Sequence, residues 1–318
     1  METGRAIRTA CTLSAGHSGS TLLNLMLGGH PDAVAVGEIT HLPKNLTLNT
    51  PCQCGVPIRR CEFWTEVVAR LPFDLHRDPY ALETGFIDAV RTVDRARATR
   101  AYKLRWKAIH GLVGAGLLIN RRVHVPAFDR SILHTELLFD AIREVSGCPL
   151  VVDSSKPYVK ALSLYHGAPE ATRLILLCRD GRGVMWSQMK RGTPPAEALL
   201  TWKRFYTRTL RLLRGVDPAH VIFVRYEDVT ARPEAEMRRL TDFLGLDFHP
   251  DVLRLDSKVH HVANGNQMRL RDRQVRPTDL SWRRMPEEHL SYFERHAGAL
   301  NERLMGRADT GASEFPRP

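Results

Sequence analysis

The chain has 318 residues, 43% hydrophobic and 25% charged, an ordinary globular composition that excludes collagenous, intrinsically disordered and small disulfide-scaffold classes. Its formal net charge of +11 points to an anionic partner, but scattered Lys and Arg without zinc-finger spacing or an RNA-recognition signature exclude nucleic acid from the expectation. No apolar run reaches the length of a membrane span and the N-terminus lacks a signal-like apolar core, so a soluble, cytoplasmic protein is expected.

The first predicted strand is "TACTLS" (9–14), which runs into the loop "SAGHSGST" and then into a helix, "TLLNLMLGG", that is apolar nearly all round. Gly16, Ser18, Gly19, Ser20 and Thr21 crowd the turn. Backbone N–H groups and hydroxyls at a helix N-terminus form an anion site. A nucleotide triphosphatase loop would carry Lys beside its Ser/Thr. Ser20 stands there instead, and His17 is the sole cation candidate within the loop. The second strand, "AVAV" (33–36), ends at Gly37-Glu38.

Next comes "TPCQCGVPIRRCEFW", with Cys52, Cys54 and Cys61. Zinc would need a fourth ligand, and His41 and His76 are near in sequence. Structural thiols or one local disulfide are the preferred alternatives, and no metal is expected. Residues 51–130 have helical patterns and few strand signals, which predicts a mainly helical insertion serving as a substrate lid. Its Trp64, Phe86, Tyr102, Trp106 and Phe128, with Trp202 later, could wall an acceptor pocket or belong to the core.

A helix over 131–146 places Leu133, Leu137, Leu138, Ala141, Ile142 and Val145 on one face. The strands "PLVV" (149–152), "RLILLC" (173–178) and "HVIFV" (220–224) follow, and "PEAEMRRLTDFL" (233–244) is a helix with Pro at its start and Gly245 after its end. The strands are continuously apolar rather than alternating, as strands buried on both faces of a parallel sheet must be. Alternating strands and helices give an α/β fold with a P-loop-like parallel sheet flanked by helices. One domain over 1–305 is expected, with a disordered tail over 306–318. Polar groups converge at four strand ends: the 14–21 loop, Gly37-Glu38, "DSSKP" (153–157) and "RDGRG" (179–183). Ligands of such sheets bind at the carboxyl ends of the strands.

With those segments in view, a resemblance emerges. "GHSGSTLLNLMLGGHPD…GE" is similar to the 5′-phosphosulfate loop of sulfotransferases that use 3′-phosphoadenosine 5′-phosphosulfate (PAPS), in the form shared by tyrosylprotein and many bacterial members. "RLILLCRDGRGVMWSQMKRG" resembles their 3′-phosphate segment. "VRYEDVTARPEAEMRRLTDFLGLDF" resembles the segment that follows, "HVANGNQMR" (261–269) the late nucleotide-binding loop, and "CQCGVPIRRCEFW" a cysteine cluster of bacterial members. The likeness covers most of residues 8–270.

It implies a PAPS-dependent transferase that moves a sulfuryl group to a hydroxyl of a small-molecule acceptor and releases adenosine 3′,5′-bisphosphate. Gly16, His17, Ser18, Gly19, Ser20 and Thr21 would hold the 5′-phosphosulfate, Arg179 and Ser187 the 3′-phosphate, and Tyr226, Asn266 and Arg269 the rest of the nucleotide. Glu38 would be the base, and Lys156 would neutralise developing charge; the tyrosylprotein pattern has its Lys one residue earlier, at Ser155. His17 replaces an Arg or Lys of the family pattern. It is either cationic and catalytic, or neutral with Lys156 or Arg182 supplying the charge. A P-loop small-molecule kinase and a non-catalytic nucleotide-binding protein are the competing expectations.

Overall fold

The computed structural model describes residues 7–84, 108, 111–113, 115–156, 158–270 and 274–306. The five apolar runs form one parallel sheet in the order β2–β3–β1–β4–β5. The strands are β1 (Thr9–Leu13), β2 (Ala33–Gly37), β3 (Leu150–Asp153), β4 (Thr172–Cys178) and β5 (Val221–Arg225). Every boundary lies within one residue of the predicted run. All residues of β1, β2 and β3 are buried, which is why these runs do not alternate.

The two sheet faces feed separate cores. Cys11, Leu13, Val36, Val151, Leu174 and Leu176 pack on one side. Ala10, Ala33, Leu150, Val152, Ile175 and Leu177 pack on the other. Helix α1 (Ser20–Gly28) belongs to the second core and is buried everywhere except at Thr21. A helix without a polar face has to lie between layers, and this one does.

After β2 come α2 (Leu42–Leu48) and α3 (Glu62–Ala69). Helix α4 (Pro126–Ser146) starts five residues before the predicted Ser131, because Pro126 supplies a favoured first-turn residue. It ends on Gly147 at φ +70°. Then follow α5 (Tyr158–Gly167), α6 (Gly181–Met189), α7 (Pro195–Leu212), α8 (Tyr226–Ala231), α9 (Pro233–Phe243) and α10 (Glu287–Met305). No helix among the described residues is long and apolar enough to cross a membrane.

Of the aromatic residues considered as acceptor walls, Trp64, Phe128 and Trp202 are core, each at most 5% exposed. Phe86, Tyr102 and Trp106 lie outside the described residues, as do 307–318 of the expected tail and most of the central part of the expected lid.

Candidate active site

The turn between β1 and α1 is built from two left-handed residues, His17 at φ +66° and Gly19 at φ +92°. Gly19 has a steric reason as well: a Cβ there would sit 2.2 Å from Cδ2 of Tyr226. No side chain caps α1 at Gly19, and Gly19, Ser20, Thr21 and Leu22 at its start line the cavity, where a helix terminus favours an anion. The turn is held from beneath by Tyr206 of α7. Its hydroxyl donates to the Leu177 carbonyl (2.8 Å), receives the Ala15 N–H (3.5 Å) and meets Ser18 Oγ at 3.2 Å. Ser18 is consequently fully buried, with its hydroxyl aimed away from the cavity.

A cavity of about 400 Å³ opens over this turn. It is lined by Gly16, His17, Gly19, Ser20, Thr21 and Glu38 from the first two strand ends. Lys156 reaches it from the third, Arg179, Ser187 and Arg191 from the fourth, and Tyr226 from the fifth. The late loop adds Asn264, Gly265 and Asn266. Asn266 donates its N–H to Thr21 Oγ1 (3.1 Å), closing that loop over the start of α1. Its companion Arg269 does not line the cavity; the guanidinium donates to the carbonyls of Val262 (3.3 Å) and Pro51 (3.2 Å).

Arg179 follows β4, stands with its guanidinium 4.7 Å from the centre of the Tyr226 ring, and donates to the His17 carbonyl at 3.1 Å. The neighbouring Asp180 caps α6 by accepting the Arg182 N–H (2.9 Å) and takes the Arg182 guanidinium in a two-pronged pair (3.0 and 2.6 Å). Arg182 also stacks on Trp282 at 4.1 Å. That arrangement removes Arg182 from the cavity lining and leaves Asp180 engaged elsewhere than on Arg179.

Glu38 is nearly buried and is bound by the ammonium of Lys156. Its position is set by Asn24, the one amide on α1. Asn24 donates to the Val152 carbonyl and accepts the Gly37 N–H, each at 3.1 Å. The pairing of β2 with β3 shifts register between Ala35 and Gly37, and Gly37 takes φ +72°, so the chain swings Glu38 toward the cavity as a bulge does. Beneath lies a buried pair, Lys160 Nζ to Asp153 Oδ2 at 2.8 Å. Asp153 also accepts from the N–H and hydroxyl of Ser155 (2.9 and 2.6 Å). Ser155 thereby forms part of a support under Lys156 and contributes no cavity-lining group.

His17 has its pKa pushed below the usual histidine value, first by burial and then by the charges of Arg191, Lys156 and Arg179, against a smaller upward pull from Glu38. In the free site His17 is therefore the neutral imidazole at neutral pH. Among the described residues, the permanent cations lining the cavity are Lys156, Arg179 and Arg191. Arg191 was missed by the sequence reading. It lies just past α6 and is brought to the rim by the same helix that carries Ser187.

A family model described as "Sulfotransferase family" matches residues 12–250. The chain belongs to the sulfotransferase family. Among curated relatives, a Caenorhabditis briggsae protein assigned as a protein-tyrosine sulfotransferase is 28% identical over 111 residues, 32% of this chain and 38% of that protein. The matched stretch thus spans well under half the length of that relative. Among solved structures, the sulfotransferase domain from the curacin biosynthetic pathway matches at 20% identity and TM-score 0.48, covering 93% of this chain and 98% of that one. The sulfotransferase STF9 from Mycobacterium avium matches at 13% identity and TM-score 0.44, over 93% and 77% of the two chains. The family match includes the turn before α1, Glu38, Lys156 and Arg179, and stops before the late loop.

Proposed function

We propose that this chain transfers a sulfuryl group from PAPS to a hydroxyl of a small-molecule acceptor and releases adenosine 3′,5′-bisphosphate. The observation that carries this reading is the arrangement of two anion-binding corners in one cavity. The uncapped start of α1 forms one, and Arg179 with Ser187 forms the other. A nucleotide with phosphate on both sides of its ribose suits that pair. The chemistry of the donor set fits the group: two guanidiniums, an ammonium, a serine hydroxyl and helix N–H groups line a space large enough for a nucleotide. PAPS supplies the activated sulfuryl group when bound.

Sulfuryl transfer asks the protein for in-line positioning and for stabilisation of charge on the sulfuryl and leaving phosphate oxygens. The start of α1 and Lys156, which line the same cavity, would meet that charge. Lys156 has a second task in this scheme. Its ammonium rests on Glu38 in the free site, and turning toward the donor's oxygens would leave the carboxylate free to accept the acceptor's hydroxyl proton. Glu38 is then the general base and Lys156 both its placeholder and the electrophilic partner. Tyr226 and Arg179 form the stacked wall on which the nucleotide rests, and Asn266 closes it from the late loop. Ser18 acts through Tyr206, as a positioning residue for the turn, and Arg269 holds the late loop from behind. His17 enters the cycle neutral.

Thermal shift of the whole chain separates the readings. Stabilisation by adenosine 3′,5′-bisphosphate but not by ATP with Mg²⁺ supports the proposal, and the reverse order points to phosphoryl transfer. Incubation with PAPS carrying labelled sulfate and a panel of phenols, sugars and lipid alcohols then reads transfer directly. Bisphosphate binding without transfer to any acceptor on a broad panel would favour a non-catalytic nucleotide-binding protein.

A further inference from the structure

Three cysteines and one histidine that the active site leaves unused meet at a single point. Cys52, Cys54 and Cys61 come from the chain just after α2, and His261 comes from two hundred residues further on. Their three Sγ atoms and a ring nitrogen all lie within 4.8 Å of one another. Cys61 Sγ is 3.3 Å and Cys52 Sγ 4.0 Å from His261 Nδ1, and Cys54 Sγ is 3.6 Å from Cys61 Sγ. A tetrahedral zinc ion with Zn–S of about 2.3 Å and Zn–N of about 2.0–2.1 Å sets S···S edges of about 3.8 Å and S···N edges of about 3.6 Å. A disulfide would require its two sulfurs at about 2.05 Å, and all six cysteines are free thiols.

The backbone around the cluster is shaped to present these atoms. Pro51 pairs with Pro57 across a tight turn in which Cys52 donates its N–H to the Val56 carbonyl (2.8 Å) and Gly55 takes φ +95°. Cys52 and Cys54 flank Gln53 in that turn as two jaws of one claw. The histidine is locked as well. Its ring stacks on Phe63 at 4.6 Å with 9° between planes, and its carbonyl accepts the Trp64 indole N–H at 2.7 Å. His41, the nearer histidine in sequence, turns instead toward Glu38 at 3.8 Å.

We propose that Cys52, Cys54, Cys61 and His261 bind one structural zinc ion, which ties the beginning of the insertion to the segment carrying the late cavity loop. Four N/S ligands close the coordination sphere, as structural sites do. The cysteines bind as thiolates, and three thiolates with a neutral imidazole leave the zinc site with a net charge of −1. Arg269 is placed to answer that charge: it donates to the Pro51 carbonyl next to Cys52 and to the Val262 carbonyl next to His261. Val262 also accepts the Gln53 N–H at 3.2 Å. Two residues past Val262, Asn264 begins the cavity lining. The ion would thus hold the late loop over Thr21 without touching the nucleotide.

The test is metal analysis of the full chain purified without chelator, together with Co²⁺ substitution. The proposal expects about one zinc per chain. It also expects the intense visible bands of tetrahedral cobalt, with thiolate-to-cobalt charge transfer in the near ultraviolet. Cys54→Ser and Cys61→Ser should lose zinc and melt at lower temperature, while His261→Cys should keep it. Stripping zinc should weaken bisphosphate binding several-fold and zinc alone should restore it. Should the serine variants fail to fold, the wild-type metal content and cobalt spectrum still decide. A chain that carries no zinc, takes up none on addition and gives the weak bands of octahedral cobalt overturns the proposal. A disulfide among the three cysteines in reduced preparations overturns it too.

Discussion

Gly19→Ala is the sharpest probe of the turn between β1 and α1, the proposed anion site. Two separate costs are readable at this position. Alanine must take φ +92°, a left-handed conformation that costs an L-residue about 1–2 kcal/mol. Its Cβ would also lie 2.2 Å from the Tyr226 ring, and overpacking of that kind costs about 1–3 kcal/mol. The second cost belongs to the pair and the first does not. In a Tyr226→Ala background the overlap vanishes, so Gly19→Ala should then cost only about 1–2 kcal/mol, with the backbone penalty remaining. Urea unfolding of the four chains in the cycle measures the difference, expected at about 1–3 kcal/mol of coupling. If Gly19→Ala costs the same in both backgrounds to within about 0.5 kcal/mol, ring contact is not what demands glycine here.

Lys160→Met leaves the buried Asp153 carboxylate without its countercharge and should lower the unfolding free energy by about 3–5 kcal/mol; adding Asp153→Leu should recover most of that loss in urea melts. Tyr206→Phe removes the hydroxyl that donates to Leu177 and meets Ser18, an expected loss of about 1–3 kcal/mol in the same assay, accompanied by weaker bisphosphate binding by calorimetry. His17→Asn keeps a side chain that tolerates left-handed backbone but removes the titration. Because the native pKa of His17 lies below its unfolded value near 6.5, the unfolded chain binds more protons as the pH falls through 6.5. Wild type should lose stability there relative to its value at pH 8; in melting curves the Asn variant should lose less, and an equal loss in both would remove the titration from His17.

The sheet was legible because its cause is local. Strands buried on both faces must be apolar at every position, and no other feature of the chain produces five such runs at these separations. The lining of the candidate cavity was legible where it sits at strand ends, which covers Glu38, Lys156 and Arg179. It was not legible where a side chain's direction is decided by a distant partner. Ser18 resembles a ligand-binding hydroxyl in sequence, yet Tyr206, one hundred and eighty-eight positions away, claims it. Arg269 resembles a phosphate contact until the Pro51 and Val262 carbonyls are seen to hold it. His261 offers no spacing signal, because the fold alone brings it to the cysteines. Arg191 had one usable clue, its place four residues beyond Ser187 and just past the end of α6.

The missing lysine of the β1–α1 turn has its explanation in the sheet order. A lysine within that turn would bring one cation from the strand that needs the anion held. Here the neighbours of β1 in the sheet are β3 and β4, and each ends in a cation that reaches the same cavity, Lys156 after β3 and Arg179 after β4. On the proposed function, two strand ends flanking the turn would do from outside what a lysine would do from within. This arrangement has a consequence for His17. Burial first, and then the charges of Arg191, Lys156 and Arg179, drive an imidazole in the turn toward its neutral form, and a permanent charge at this position would be repelled by the same cations. His17→Lys should accordingly destabilise the free chain relative to His17→Asn, and a saturating bisphosphate should narrow that gap by supplying the countercharge. Melting temperatures of both variants with and without the nucleotide measure the two gaps. A gap that bisphosphate leaves unchanged would mean that the cations around the turn do not act on His17 through their charge.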